Sequence, residues 1–419
     1  MYERVASLLL ISVRNMHILT TITTLSVLEL LTLSNTQAQP QPQTQPKLNL
    51  PKGILREKKL SNYLRQDTIC ELPVVKHYPA PYASQPPIID GRLDDPVWNN
   101  AQYTDDFQDL LHPTSLVPIN LLTRTKISWD DRFIYVGATL FDPLVSANVT
   151  KLEQYKNNDF IDNTFEIYID LDRTNQHYKR IQVNPLGIVK TTQYSKPETD
   201  GGKVTDWNVG HLFQIKVYTP EKVQIMHEPL KIMNSKPTLN SFWSVEMAIP
   251  ITSLSSTWKR APSSQGPYSG FNFMRTGWPP KTVNQNEQRN RKRVNVEVFD
   301  SRYQYIWNRG VPTLPGTISN PDSWGTIYFS KETQDTCFKS DPQATIRYLL
   351  SQIYHAQWTY HKLHGYFAKD FVSLPPLINC TSTSKVSIVR DGSGFRASVA
   401  ANGLLGLIRQ DRLTWFENR

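Results

Sequence analysis

The chain has 419 residues, room for one large β domain with additions or for two domains. Aromatic residues make up 11 % and charged residues 20 %, enough apolar material for a sizeable core, and 29 prolines imply many turns and loops. The net charge is +9, and much of its visible clustering lies in "EQRNRKR" (Glu287 to Arg293), which reads as a solvated loop; no helix-turn-helix, zinc-finger or RNA-recognition pattern accompanies it, so nucleic acid is not expected as a partner.

Residues 1–38 read as a signal peptide. Two apolar runs, Val5 to Val13 and Ile18 to Leu33, are separated by Arg14 and His17, and Met16 offers an alternative start. Glu29 inside the second run is costly at mid-bilayer, which favours cleavage over a retained anchor. Thr36 and Ala38 then supply small residues at the spacing that signal peptidase favours. No other stretch approaches the ~20 apolar residues of a spanning helix, so no stable membrane span is expected after removal of the signal. Three cysteines, Cys70, Cys337 and Cys380, allow one disulfide with one thiol left over. Sequons at Asn148 and Asn379 fit a secreted, glycosylated protein.

A Pro/Gln-rich linker and N-terminal arm occupy residues 39–85. From Ile88 the pattern turns to β. "RTKISWDDRFIYVGATLFD" reads as two strands around Asp130–Asp131. "FEIYIDLD", "HYKRIQV", "LFQIKVYT", "SFWSVEMAIP", "GFNFMRTGW" and "WGTIYF" continue the alternation to Phe329. Strands at short spacing without a βαβ rhythm argue for an antiparallel β-sandwich over residues 86–330. Residues 331–419 change character. Asp341 and Pro342 open a helix whose stripe runs Ile346, Leu349, Leu350, Ile353, Tyr354, Gln357, Trp358, and Gly365 ends it. A small hairpin sheet with "DGSG" at its turn follows, which makes this region a small α+β appendage.

The chemistry on offer is sparse. There is no nucleophile elbow, no zinc-binding His-Glu-x-x-His helix and no phosphate-cradling glycine loop. The feature that stands out is "DNTFEIYIDLD" (Asp162 to Asp172), where Phe165, Ile167, Ile169 and Leu171 alternate with Glu166, Tyr168, Asp170 and Asp172. One face of that strand is expected dry and the other wet. Carboxylates on one strand face stand side by side, about 7 Å apart from Cα to Cα. Glycoside hydrolysis needs them on opposite sides of a sugar ring. A row of carboxylates, amides and arginines suits a hydroxyl rim instead. Glu166 could equally pair with Arg180 across the strands.

"IIDGRLDDPVWNNA" (88–101) resembles the opening signature of carbohydrate-binding module family 9. The likeness continues in order through "ISWDDRFIYVGATLFDP", "DNTFEIYIDLD", "HYKRIQVNPLG", "SFWSVEMAIP", "GFNFMRTGWPP", "YIWNRG" and "NPDSWGTIYF". This resemblance implies a mainly β, DOMON-like antiparallel sandwich that holds a sugar between two aromatic rings, with structural calcium. Carried over position by position, the clamp falls at Phe160 and Trp307, and the strand carboxylate at Glu166. Gln182 stands where the family has Arg, and Met274 where it has an amide, with Arg275 beside it. Trp98, Trp129, Trp243 and Trp324 fall at positions that imply core or turn packing. Asp90 and Asp94 are the candidate calcium ligands, although Asp90 could cap its own turn. Haem, which similar sandwiches hold between Met and His, is not expected, since Met226, His227 and Met274 lack a supporting pattern.

The expected function is a secreted, non-catalytic carbohydrate-binding protein, with oligo- or polysaccharide as partner. The alternatives are a glycoside hydrolase or its accessory subunit, and a degenerate sandwich that serves as an interaction scaffold. The C-terminal region offers a surface for a protein partner.

Overall fold

The computed structural model describes residues 72, 74–143, 145–154, 162–221, 241–254, 267–277, 302–310, 318–333, 337–377 and 386–418. All of them fall in one compact unit, Arg65–Arg419. Phe160, Asn379, Cys70, Cys380, Met226, His227, the run 287–293 and residues 1–38 lie outside the described residues.

Two sheets carry the main core. The larger runs in the order β1 (His77–Ala80), β13 (Gly325–Phe329), β11 (Tyr268–Gly277), β5 (Thr164–Asp170), β6 (Tyr178–Val183), β7 (Val189–Tyr194) and β8 (Val204–Asp206). β12 (Tyr303–Ile306) also pairs with β11, and β2 (Gln108–Asp109) with β12. Its neighbours pair antiparallel except β1, which lies parallel to β13 and brings part of the N-terminal arm into the sheet. The smaller sheet is β3 (Thr123–Trp129), β4 (Phe133–Phe141), β10 (Phe242–Pro250) and β9 (Gln214–Tyr218), all antiparallel.

The alternation in sequence becomes the core. Phe165, Ile167 and Ile169 of β5 join Ile181, Val183, Phe271 and Phe273 from the large sheet. Ile127, Trp129, Val136, Trp243, Val245 and Met247 join from the small one. Burying such side chains removes apolar surface from water, worth about 1.5–3 kcal/mol for each large one.

The signature at 88–101 covers the far side of β10. Glu246 is fully buried there, and its carboxylate accepts from the backbone N–H groups of Asp90 and Gly91, both at 3.0 Å, and from Trp98 Nε1 at 2.8 Å. Gly91 has φ +91°, and a Cβ on it would lie 2.7 Å from the Tyr218 nitrogen, so glycine is required. The short helix α1 (Pro96–Asn100) then drops Trp98 against Ala248 and Tyr135, and α2 (Ile251–Leu254) follows β10.

The C-terminal layer has its own core. Helix α3 (Ala344–His364) starts two residues after the proline expected to open it. Asp341 Oδ1 accepts from the Gln343 N–H at 2.9 Å, and Gly365 ends the helix at φ +77°. Every residue of the expected stripe is buried or half-buried, packed on a four-stranded sheet in the order β14 (Val386–Asp391), β15 (Gly394–Ala401), β16 (Leu404–Arg409), β17 (Thr414–Asn418). Arg173 meets Asp341 at 2.6 Å, and the Thr414 N–H donates to the Thr174 carbonyl at 3.1 Å, which docks this layer on the β5–β6 turn.

Candidate functional site

The alternating face of β5 has the expected parity but not the expected wetness. All seven residues of the strand are buried. Glu166 pairs in register with Gln182 of β6 on one side and Met274 of β11 on the other, and Tyr168 with Arg180. These outward side chains are long enough to cover one another, so the row is a tightly packed polar layer with little exposed surface rather than a freely solvated one.

Glu166 is the hub. Its Oε1 accepts from Thr164 Oγ1 at 3.2 Å and Gln182 Nε2 at 3.1 Å. Its Oε2 accepts from the Tyr168 hydroxyl at 3.1 Å and from Arg180 Nε at 3.0 Å, with Arg180 Nη2 at 2.7 Å. That fills the roughly four lone-pair sites of a carboxylate. Burial, together with the charge of Glu166, drives the Tyr168 hydroxyl well above its ordinary range, while Arg180 opposes the shift.

Gln182 is different. It is 3 % exposed, and among the described residues its Oε1 has no hydrogen-bond partner. Its amide is oriented by chemistry, because turning it over would set Oε1 against the Glu166 carboxylate. A bare acceptor therefore points away from the hub.

Above this floor lies a cleft of about 490 Å³. Thr164, Glu166, Tyr168, Arg180 and Gln182 form its base, Met274, Thr276 and Gln304 one flank, and Tyr194 another. Two loops wall it, one through Glu198 and Thr199, the other through Ile318 and Ser319. The second loop is tied down where the Tyr178 hydroxyl donates to the Ser319 carbonyl at 2.6 Å.

Of the residues expected at the site, Glu166 and Gln182 meet in this cleft. Trp307 does not join them. It shares strand parity with Tyr305, lies on the inner face of the large sheet, is fully buried and packs 5.5 Å from Phe273 between ring centroids. Arg275 also points inward, as its parity relative to Met274 requires. It is fully buried and bridges the two sheets, with Nη1 donating to the carbonyls of Leu121 and Phe141 and Nη2 2.7 Å from Asp142.

Asp170, from the same row as Glu166, serves the following turn. Its carboxylate accepts from the N–H groups of Thr174 and Asn175, where Arg173, Asn175 and His177 all take positive φ. Asp90 and Asp94 are both exposed, and Asp90 Oδ1 accepts from the Arg92 N–H at 2.8 Å, the cap of its own turn. Among the described residues no group of three or more acidic, His or Cys side chains is arranged to hold a metal ion. Asn148 is half-buried and Cys337 exposed.

The sequence profile described as "Carbohydrate family 9 binding domain-like" matches residues 89–331, more than half of the chain. The protein belongs to this family. The match spans both sheets of the sandwich apart from β1 and stops short of the α3 layer. Among solved structures, the chain is similar to a carbohydrate binding module family 9 from Caldicellulosiruptor kristjanssonii in complex with cellotriose. Identity there is 16 %, coverage 64 % of this chain and 100 % of that one, and the TM-score 0.36. The same organism's module in complex with glucose gives 17 % identity, the same coverages and a TM-score of 0.36. No curated protein matches the chain. Family 9 membership implies carbohydrate binding, and the β-sandwich is the part of the chain that carries it.

Proposed function

We propose that this is a secreted, non-catalytic carbohydrate-binding protein that holds its sugar in the cleft above β5 and β6. The observation that carries the reading is the polar base of that cleft, where Glu166, Tyr168, Arg180 and Gln182 line one space of about 490 Å³. Arg180, Tyr194 and Gln304 bring polar side chains to the same space for a rim of sugar hydroxyls, and a cleft of this size admits a few sugar rings. Phe160, just before β5, is the stacking ring of this proposal; it lies outside the described residues.

The non-catalytic part rests on Glu166. Both its oxygens are occupied by donors, so it has no free lone pair with which to attack a glycosidic carbon or activate water. Secretion rests on the leader-like segment 1–38 and the sequons. Among the described residues no helix is long and apolar enough to cross a membrane.

The test is a glycan array followed by calorimetry with cellotriose and glucose, each with and without calcium, on wild type and Gln182→Leu. Binding by the wild type that falls at least tenfold in the variant, at an unchanged thermal midpoint, supports the reading. A wild-type protein that binds no glycan overturns it.

A further inference from the structure

The C-terminal layer lies outside the family match, yet it holds residues next to both wall loops of the cleft, chiefly through one side chain. Arg412 sits in the turn between β16 and β17, its backbone at φ +68°. Its side chain is fully buried. Nη1 meets Asp200 at 2.7 Å, Nη2 meets Asp322 at 2.6 Å and also donates to Asn320 Oδ1 at 2.7 Å, and Nε donates to Asp322 at 3.2 Å. The guanidinium plane lies 5.0 Å from the centre of the Tyr354 ring of α3. Ser351, also of α3, donates to the same Asp322 oxygen at 2.8 Å.

Asp200 closes the turn Glu198–Asp200, which carries the wall residues Glu198 and Thr199. Asn320 and Asp322 follow directly on the wall residues Ile318 and Ser319. One buried cation thus ties both wall loops to the C-terminal layer. The fork geometry of arginine suits this, since a lysine ammonium is a point charge without five fixed donors.

We propose that Arg412 is a positioning residue for the sugar cleft, and that the α3 layer is a built-in brace which fixes the spacing of the two wall loops. The assignment rests on the sugar reading above and extends it to a part of the chain outside the family match. Through it, binding strength at the floor depends on a residue that touches no sugar.

Hydrogen exchange and calorimetry on the full chain test this, with cellotriose as the probe and the variants Arg412→Gln, Arg412→Lys and Asp200→Asn. In Arg412→Gln, amides in 198–203 and in 318–324 are expected to exchange at least tenfold faster, while those of β5 stay unchanged. Cellotriose affinity is expected to fall at least tenfold, with partial recovery in Arg412→Lys. Combining Arg412→Gln with Thr199→Ala is expected to cost less than the two separate losses together, because both act through one loop. Purely structural damage would move neither that coupling nor the two loops in step. Should Arg412→Gln fail to fold, Asp200→Asn cuts one arm only and loosens 198–203 alone.

Exchange changes confined to residues 344–418 overturn the proposal. So does unchanged affinity with both loops loosened. A wild-type protein that binds cellotriose while Arg412→Gln binds it equally well removes the positioning role and leaves the sugar reading intact. A wild-type protein that binds no glycan removes both.

Discussion

Glu166 Oε2 lies 2.7 Å from Arg180 Nη2, with the two side chains 2 % and 14 % exposed. The pair runs diagonally between β5 and β6, since Glu166 faces Gln182 in register and Arg180 faces Tyr168. Removing one partner of a buried pair leaves an uncompensated charge, a loss of about 3–5 kcal/mol. Arg180→Met is therefore expected to lose at least about 3 kcal/mol of unfolding free energy at neutral pH. Urea unfolding checks it, and a loss below about 1 kcal/mol, the range of an exposed pair, would contradict the burial.

Glu246 anchors the family signature to β10. Glu246→Ala strands the indole N–H of Trp98 and the amides of Asp90 and Gly91, of which the first and last are buried. Each buried donor left unpaired costs about 1–3 kcal/mol, so a total near 3 kcal/mol is expected, with faster amide exchange at 88–92. An unchanged exchange rate there would mean that the segment is held by its apolar contacts alone.

Much of this fold was legible because a strand's period of two is a local property. The parity of β5 could be read from Phe165, Ile167 and Ile169, and the helical stripe from Ile346 to Trp358. Parity also explains the residues that fell elsewhere. Tyr303, Tyr305 and Trp307 alternate, and Arg275 is one step from Met274, so both Trp307 and Arg275 turn inward. What could not be read was which face is covered. The closure of the Glu166 row depends on β6 and β11, and β11 lies about a hundred residues further along the chain. Arg412 carried no signal at all. It is one arginine in a turn, and its partners lie 212 and 90 residues away.

Acidification should weaken the brace around Arg412. Burial, then the charge of Arg412, holds His355 below the ordinary histidine value of 6.5. Arg412 Nη2 is 3.4 Å from its Nε2, and Asp322 and Asp200 face it from the sandwich side. A depressed base binds fewer protons folded than unfolded, so its contribution is present above 6.5 and is lost as pH falls through the folded value. Burial alone would raise Asp322, but the charge and hydrogen bonds of Arg412 hold it below the ordinary 3.8, so its contribution is lost at still lower pH. Between pH 7.5 and about pH 5 the thermal midpoint of the wild type is expected to fall relative to that of His355→Gln, because the raised Glu246 carboxyl acts alike in both proteins. Equal drops in both would assign the loss to other groups.

Trp307 separates packing from recognition. Its ring is fully buried and lies against Gly325, where an added Cβ would come within 2.3 Å of it. Trp307→Ala is expected to cost about 3–5 kcal/mol through the cavity it opens. Gly325→Ala forces the same ring to shift, an overpacking cost of about 1–3 kcal/mol. Neither residue lines the cleft, so whatever folded fraction remains should bind cellotriose with wild-type affinity. Urea unfolding gives the first quantity and calorimetry at low temperature the second. The opposite pattern, full stability with lost binding, would require the Trp307 ring to leave the core and reach the sugar. That would expose one of the largest side chains of the core and leave a void beneath the strand that carries Phe273.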